Sequence, residues 1–111
     1  MTHYLYSGAG NTFVVLDGRE LAGAVDIMGL CAKYGTDGLM ILHQSKDWDF
    51  EMEFFNPDGT GGMMCGNGGR CIVAFADYLG FKPSDGKVYH FKAGDCPHTG
   101  EILADNGIVK T

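Results

Sequence analysis

The chain has 111 residues, 14 acidic against 8 Lys and Arg, and a formal net charge of −6, which suits one domain with one core rather than two full-sized ones. The acidic balance argues against a phosphate-backbone binder, which needs a basic stripe, and no apolar run approaches the ~20 residues that span a bilayer. Met1-Thr2-His3-Tyr4 opens no basic and apolar leader, so a cytoplasmic chain is expected; glycine alone stands out, at 18 of 111 residues.

Thr12-Phe13-Val14-Val15-Leu16 is β-branched and aromatic and runs into Asp17-Gly18, a strand ending in a turn. From Leu21 to Tyr34 the apolar residues Leu21, Val25, Met28, Leu30 and Cys31 fall near helical spacing, and Gly35 stops the run. Leu39-Met40-Ile41-Leu42 predicts a buried strand, and the alternating Phe50-Glu51-Met52-Glu53-Phe54-Phe55 a half-exposed one. Asn56-Pro57-Asp58-Gly59 forces a turn. Beyond a glycine-rich stretch, Cys71 to Leu79 is apolar nearly all round and stops at Gly80, a helix to be buried on most faces. Strand-like pieces at Val88–Lys92, Glu101–Ala104 and Ile108–Lys110 predict hairpins. Asn106-Gly107 is a hairpin-turn signal, yet Ile108-Val109-Lys110-Thr111 stops within the next strand, which predicts a truncated chain. The layout is β-rich, with one amphipathic helix outside and one apolar helix within.

Cys31, Cys65, Cys71 and Cys96 show no CxxC spacing. Scattered ligands such as Cys96 and His98 make a poor zinc set, and reduced thiols are the simpler reading. Cys31 and Cys71, on apolar helical faces, are expected to pack in the core.

The densest chemistry lies between Asn56 and Arg70, a loop with six glycines that runs into the apolar helix. Glycines let successive backbone N–H groups converge on an anion, and a helix start adds unpaired donors and roughly half a positive charge. The loop lacks the Gly-Lys-Ser/Thr of a P-loop and the spacing of a dinucleotide fingerprint, so a small carboxylate is the expected ligand. Cys65 sits at the mouth of that helix, a setting that favours thiolate and suits a nucleophile or a general base. A flexible loop whose Cys merely packs is the competing reading. Asn11, after Gly8-Ala9-Gly10, reads equally as a ligand-binding amide or as a cap on the first long strand.

These residues resemble the diaminopimelate epimerase family. Gly8-Ala9-Gly10-Asn11-Thr12-Phe13-Val14-Val15 is similar to its Gly-x-Gly-Asn-Asp-Phe-Val, and Asn56-Pro57-Asp58-Gly59 to its Asn-Ala-Asp-Gly. Cys65-Gly66-Asn67-Gly68-Gly69-Arg70-Cys71 is similar to its Cys-Gly-Asn-Gly-Ala-Arg-Cys. The resemblance implies an α+β fold, a mostly antiparallel or mixed sheet wrapped around a central helix at about Gly69–Leu79. Residues 1–111 would be a single domain, the N-terminal half of a two-domain epimerase whose C-terminal domain is absent. The implied activity interconverts LL- and meso-diaminopimelate, towards lysine and peptidoglycan, without pyridoxal phosphate or other cofactor. By resemblance Cys65 is one of two catalytic thiols, Asn11, Asn56, Gly66 and Asn67 contact the substrate, and the enzyme pairs as a homodimer.

Inverting a carbon needs an acid/base group on each face and fixed donors for the charge that builds on the substrate. The second Cys of the family, in a Gly-Ser-Gly setting, and its neighbouring Glu-Arg pair have no counterpart here, so this chain is expected to hold half a site and to be inactive alone. Ser7 stands where the family often has His, Thr12 where it has Asp, and Gly38 where some members carry a substrate-binding Gln. Two alternatives stand beside this reading: a related isomerase of the proline-racemase or phenazine-biosynthesis type, and a non-catalytic domain that binds an amino-acid carboxylate.

Overall fold

A computed structural model describes residues 2–8, 10–62, 66–103 and 108–110 of the chain. Among these residues seven strands form one mixed sheet whose spatial order follows chain order. They are β1 (Tyr4–Gly8), β2 (Asn11–Asp17), β3 (Gly38–His43), β4 (Phe50–Phe55), β5 (Val88–Ala93), β6 (Cys96–Leu103) and β7 (Ile108–Lys110). Helix α1 (Ile27–Tyr34) links β2 to β3, and α2 (Gly66–Tyr78) links β4 to β5. Those two strand pairs are parallel and the other four antiparallel. The fold is α+β.

Both helical crossovers step the same way across the sheet, but the antiparallel β3–β4 pair reverses the strand direction between them. The strong preference for right-handed crossovers then requires the two helices on opposite faces. That is what the strands record. Val14, Leu16, Leu39 and Ile41 pack with Cys31 of α1, while Phe13, Val15, Met40 and Leu42 pack with α2. Strands β2 and β3 are therefore covered on both sides, which is why their sequences are unbroken apolar runs rather than alternations.

Helix α2 lies inside the curl of the sheet and touches β1, β2 and β3 towards one end and β6 and β7 at the other. Gly100 of β6 comes so close that a Cβ there would sit 2.5 Å from Val73 Cγ2. On the opposite side, a Cβ on Gly8 of β1 would lie 3.4 Å from Cys71 Sγ. Ile72, Val73, Phe75 and Ala76 are wholly buried, each large side chain contributing roughly 1.5–3 kcal/mol. The helix ends where Gly80 adopts φ 92°; Gly80 N–H donates to the Asp77 carbonyl and Phe81 N–H to that of Ala76, a Schellman closure that needs the glycine.

Four of these strands and helices differ from the expectations by more than one residue. The helix expected over Leu21–Tyr34 begins only at Ile27, because Asp26 caps it by accepting from Gly29 N–H at 3.0 Å; Leu21 and Val25 reach the outer core from non-helical backbone. Helix α2 begins at Gly66, ahead of both Cys71 and Gly69. Strand β1 was not foreseen, although Tyr4 and Tyr6 share the face that packs on Phe75. Strand β6 starts at Cys96 and passes through Pro97, which stands opposite Lys92 of β5. The expected Asn106-Gly107 turn and Ala104 lie outside the described residues.

Candidate functional site

Register alone gathers the candidate residues at one end of the sheet. Gly8, the last residue of β1, pairs with Asn11, the first of β2. The parallel β2–β3 pair sets Phe13 beside Gly38, and the antiparallel β3–β4 pair sets Leu39 beside Phe55. Asn56 follows directly on β4, and the end of β5 and the start of β6 reach the same side of the sheet. Helix α2 starts at this end as well.

Two of the candidates touch. Asn67 Nδ2 donates to Asn11 Oδ1 at 2.7 Å, across 56 positions of sequence. Asn67 Oδ1 accepts in turn from Nη2 of Arg70, three residues further along α2. The amide of Asn11 is thus tied to the first turn of the helix, beyond the role of a strand cap. Gly66, the first residue of α2, stands where the resemblance placed a substrate contact. Cys65 lies outside the described residues. The first turn of α2 carries no acidic side chain, so none of its own residues neutralises the positive end of the helix.

Asn56 occupies the same end, with its amide engaged in its own turn. Asn56 N–H donates to the Thr60 carbonyl at 2.8 Å, and Gly59 N–H returns to the Asn56 carbonyl at 2.9 Å. The Thr60 hydroxyl donates to Asp58 Oδ1 at 2.6 Å and accepts from Asn56 Nδ2 at 3.1 Å. That hydroxyl, with the Thr60 N–H, holds the Asp58 carboxyl below the usual carboxylate range. The turn folds back so that Gly62 N–H donates to the Phe54 carbonyl. A Cβ at Gly62 would sit 2.8 Å from the Phe54 ring and 3.1 Å from either end of the Asn56 amide, so a larger residue needs those side chains to move.

A cavity of about 530 Å³ opens beside this turn, with Phe54, Gly62, Cys96 and His98 among its walls. Beside it β4 and β5 pair only over Phe50, Glu51 and Met52, and beyond them Phe55 bridges to Gly61 of the turn. His98 stacks on Phe91, with ring centroids 5.5 Å apart. Among the described residues no three His, Cys, Asp or Glu side chains converge as metal ligands. Cys31 and Cys71 are buried in the outer and inner cores, as expected. Gly38 is buried too; a Cβ there would meet the Phe54 ring at 2.8 Å, so a larger residue needs that ring to move.

A profile of the diaminopimelate epimerase family matches residues 3–110. The chain belongs to that family. It is 40% identical over 108 residues to a diaminopimelate epimerase of Chlorobaculum tepidum, covering 92% of this chain and 42% of that protein. A diaminopimelate epimerase of Flavobacterium psychrophilum is 42% identical over 86 residues, covering 71% of this chain and 34% of its own length. The chain thus spans less than half the length of these relatives. Among solved structures, a phenazine biosynthesis protein of the PhzF family from Bacillus anthracis superposes with a TM-score of 0.67 at 19% identity, over 96% of this chain and 37% of that one. That likeness bears on the fold.

Arg70 and Thr60 received no role from sequence. Arg70 stood inside a quoted motif, three positions from Asn67, which is one helical turn and a contact distance. Thr60 follows Asp58 at the spacing of an Asx turn. No helix among the described residues is long and apolar enough to cross a membrane.

Proposed function

We propose that this chain is the N-terminal half of a cofactor-independent epimerase that interconverts LL- and meso-diaminopimelate, supplying lysine and peptidoglycan precursors. The observation that carries the reading is the Asn67–Asn11 amide pair at the start of a buried helix with no acid in its first turn. Around it, Gly66, Asn67, Asn11 and Asn56 hold the substrate, with its carboxylate at the helix start, where donors are fixed before charge develops. Cys65, as thiolate, takes the α-proton from one face. A second thiol, from a domain outside these residues, returns a proton to the other face. The reverse reaction exchanges the two roles. No cofactor is required, because the donors at the helix start stabilise the carbanion formed as the proton leaves.

The test uses the full-length protein with diaminopimelate in D2O. The parent incorporates deuterium at the α-carbon. Cys65→Ser lowers that exchange by about 100-fold or more, the usual worth of a positioned general base. Near-parental deuterium uptake by Cys65→Ser refutes the assignment, and full turnover by the 111-residue chain alone refutes the two-thiol division.

A further inference from the structure

We propose that Arg70 is a positioning residue that sets the polarity of the Asn67–Asn11 amide pair and so presents it to substrate as a hydrogen-bond donor; this rests on the reading above, in which the pair faces the substrate. A primary amide is a donor at one end and an acceptor at the other, in nearly the same shape. Nothing in an isolated Asn–Asn contact decides which way round the pair sits. A guanidinium removes that freedom, because it donates and never accepts. Arg70 lies on the same face of α2 as Asn67, one turn later, and its Nη2 donates to Asn67 Oδ1. Asn67 must therefore turn its Nδ2 towards Asn11, whose Oδ1 accepts at 2.7 Å. Among the described residues nothing accepts from Asn11 Nδ2, the other end of that amide.

Each step has one sense, and the relay ends in an N–H group. That polarity matches a carboxylate or a developing enolate oxygen, which only accepts. The reversed pair would present Asn11 Oδ1 and repel the same group. With Arg70 removed, both amides are free to rotate together, and part of the population turns its acceptor to the substrate. The residue acts through Asn67 and Asn11, by the Nη2 donation to the amide. Its contribution is felt mainly in substrate binding.

The experiment takes the full-length protein with Arg70→Met, Asn11→Ala and the double variant. Arg70→Met raises KM for diaminopimelate about tenfold, the worth of one hydrogen bond to a charged group, with a smaller change in kcat. In the Asn11→Ala background the same substitution adds nothing to KM. A full additive effect there overturns the proposal, because Arg70 would then act on substrate by another route. A second readout needs no activity: in ¹⁵N spectra, Arg70→Met shifts the side-chain NH2 signals of both Asn67 and Asn11. An unmoved Asn11 signal also overturns the relay. If the parent shows no α-proton exchange with diaminopimelate, the proposed function fails, and the amide spectra still decide the role of Arg70.

Discussion

Gly100→Ala is a direct probe of how tightly the sheet wraps α2. The Cβ it adds would lie 2.5 Å from Val73 Cγ2 and 3.4 Å from Val73 Cβ and Cγ1. Backbone strain does not enter, since Gly100 is absent from the glycines with positive φ. Relief by rotating Val73 is closed off, because a β-branched side chain in a helix is held in one χ1 well and Val73 is wholly buried. Strand and helix must therefore separate, by about 1 Å, and overpacking of this kind costs about 1–3 kcal/mol. For a chain of this size that lowers Tm by roughly 4–13 °C. Val73→Ala alone removes two methyl groups worth about 0.8 kcal/mol each, plus the cavity they leave. Combined, the two changes move a methyl from the helix to the strand. The double variant is expected to be more stable than the sum of the single losses by about 1–2 kcal/mol in urea unfolding. Additivity within about 0.5 kcal/mol would show that β6 and α2 are not in contact there, and the wrapped-helix description would fall.

Two further changes test the parts that hold the site in place. Burial pushes the Tyr89 hydroxyl up to about 12, and it donates to the Phe81 carbonyl at 2.5 Å. An unfolded tyrosine ionises near 10, so this contribution is whole below about pH 10 and is lost as pH rises towards 12. Tyr89→Phe should remove part of the alkaline fall in unfolding free energy, and an unchanged alkaline slope would refute that source. Asp26→Ala deletes the cap on Gly29 N–H at the start of an eight-residue helix and should cost about 1 kcal/mol by denaturant midpoint.

Elements with a strong local period were legible in the sequence. Strand β4 has the bounds its alternation predicted, and the unbroken apolar run of β3 reported burial on both faces. What escaped was set by distant partners. Helix α2 begins inside the glycine stretch, at residues of poor helical propensity, where Gly68 and Gly69 are buried. Leu21 and Val25 fit a helical period and also fit an extended segment laid on the outer core; Asp26, as a cap, is the residue that decides between them. At the site, Asn11 and Asn67 were both singled out, but their contact is non-local and spacing contains nothing of it. Arg70 was passed over because its partner is an amide rather than a carboxylate, and charge patterning has no means of flagging such a pair.

The two helices differ at their starts in a way that bears on the proposed carboxylate site. Helix α1 lies on the outer face, and its positive end is satisfied from within, by the Asp26 carboxylate on Gly29 N–H. Helix α2 has no acid in its first turn, and its body is surrounded by strands from both sides of the sheet. Low-polarity surroundings screen the helix dipole less than water does, so the charge at its start acts more strongly on what is bound there. Strand register then fixes what surrounds that start: the chain leaves β4 at Asn56, and the β1–β2 turn brings Asn11 to the same end. In the proposed reading a carboxylate meets a helix start with no acid in its first turn, beside amides already bonded to one another and to Arg70. Topology supplies the meeting place, and a first turn of α2 without an acid is what the proposed carboxylate site requires.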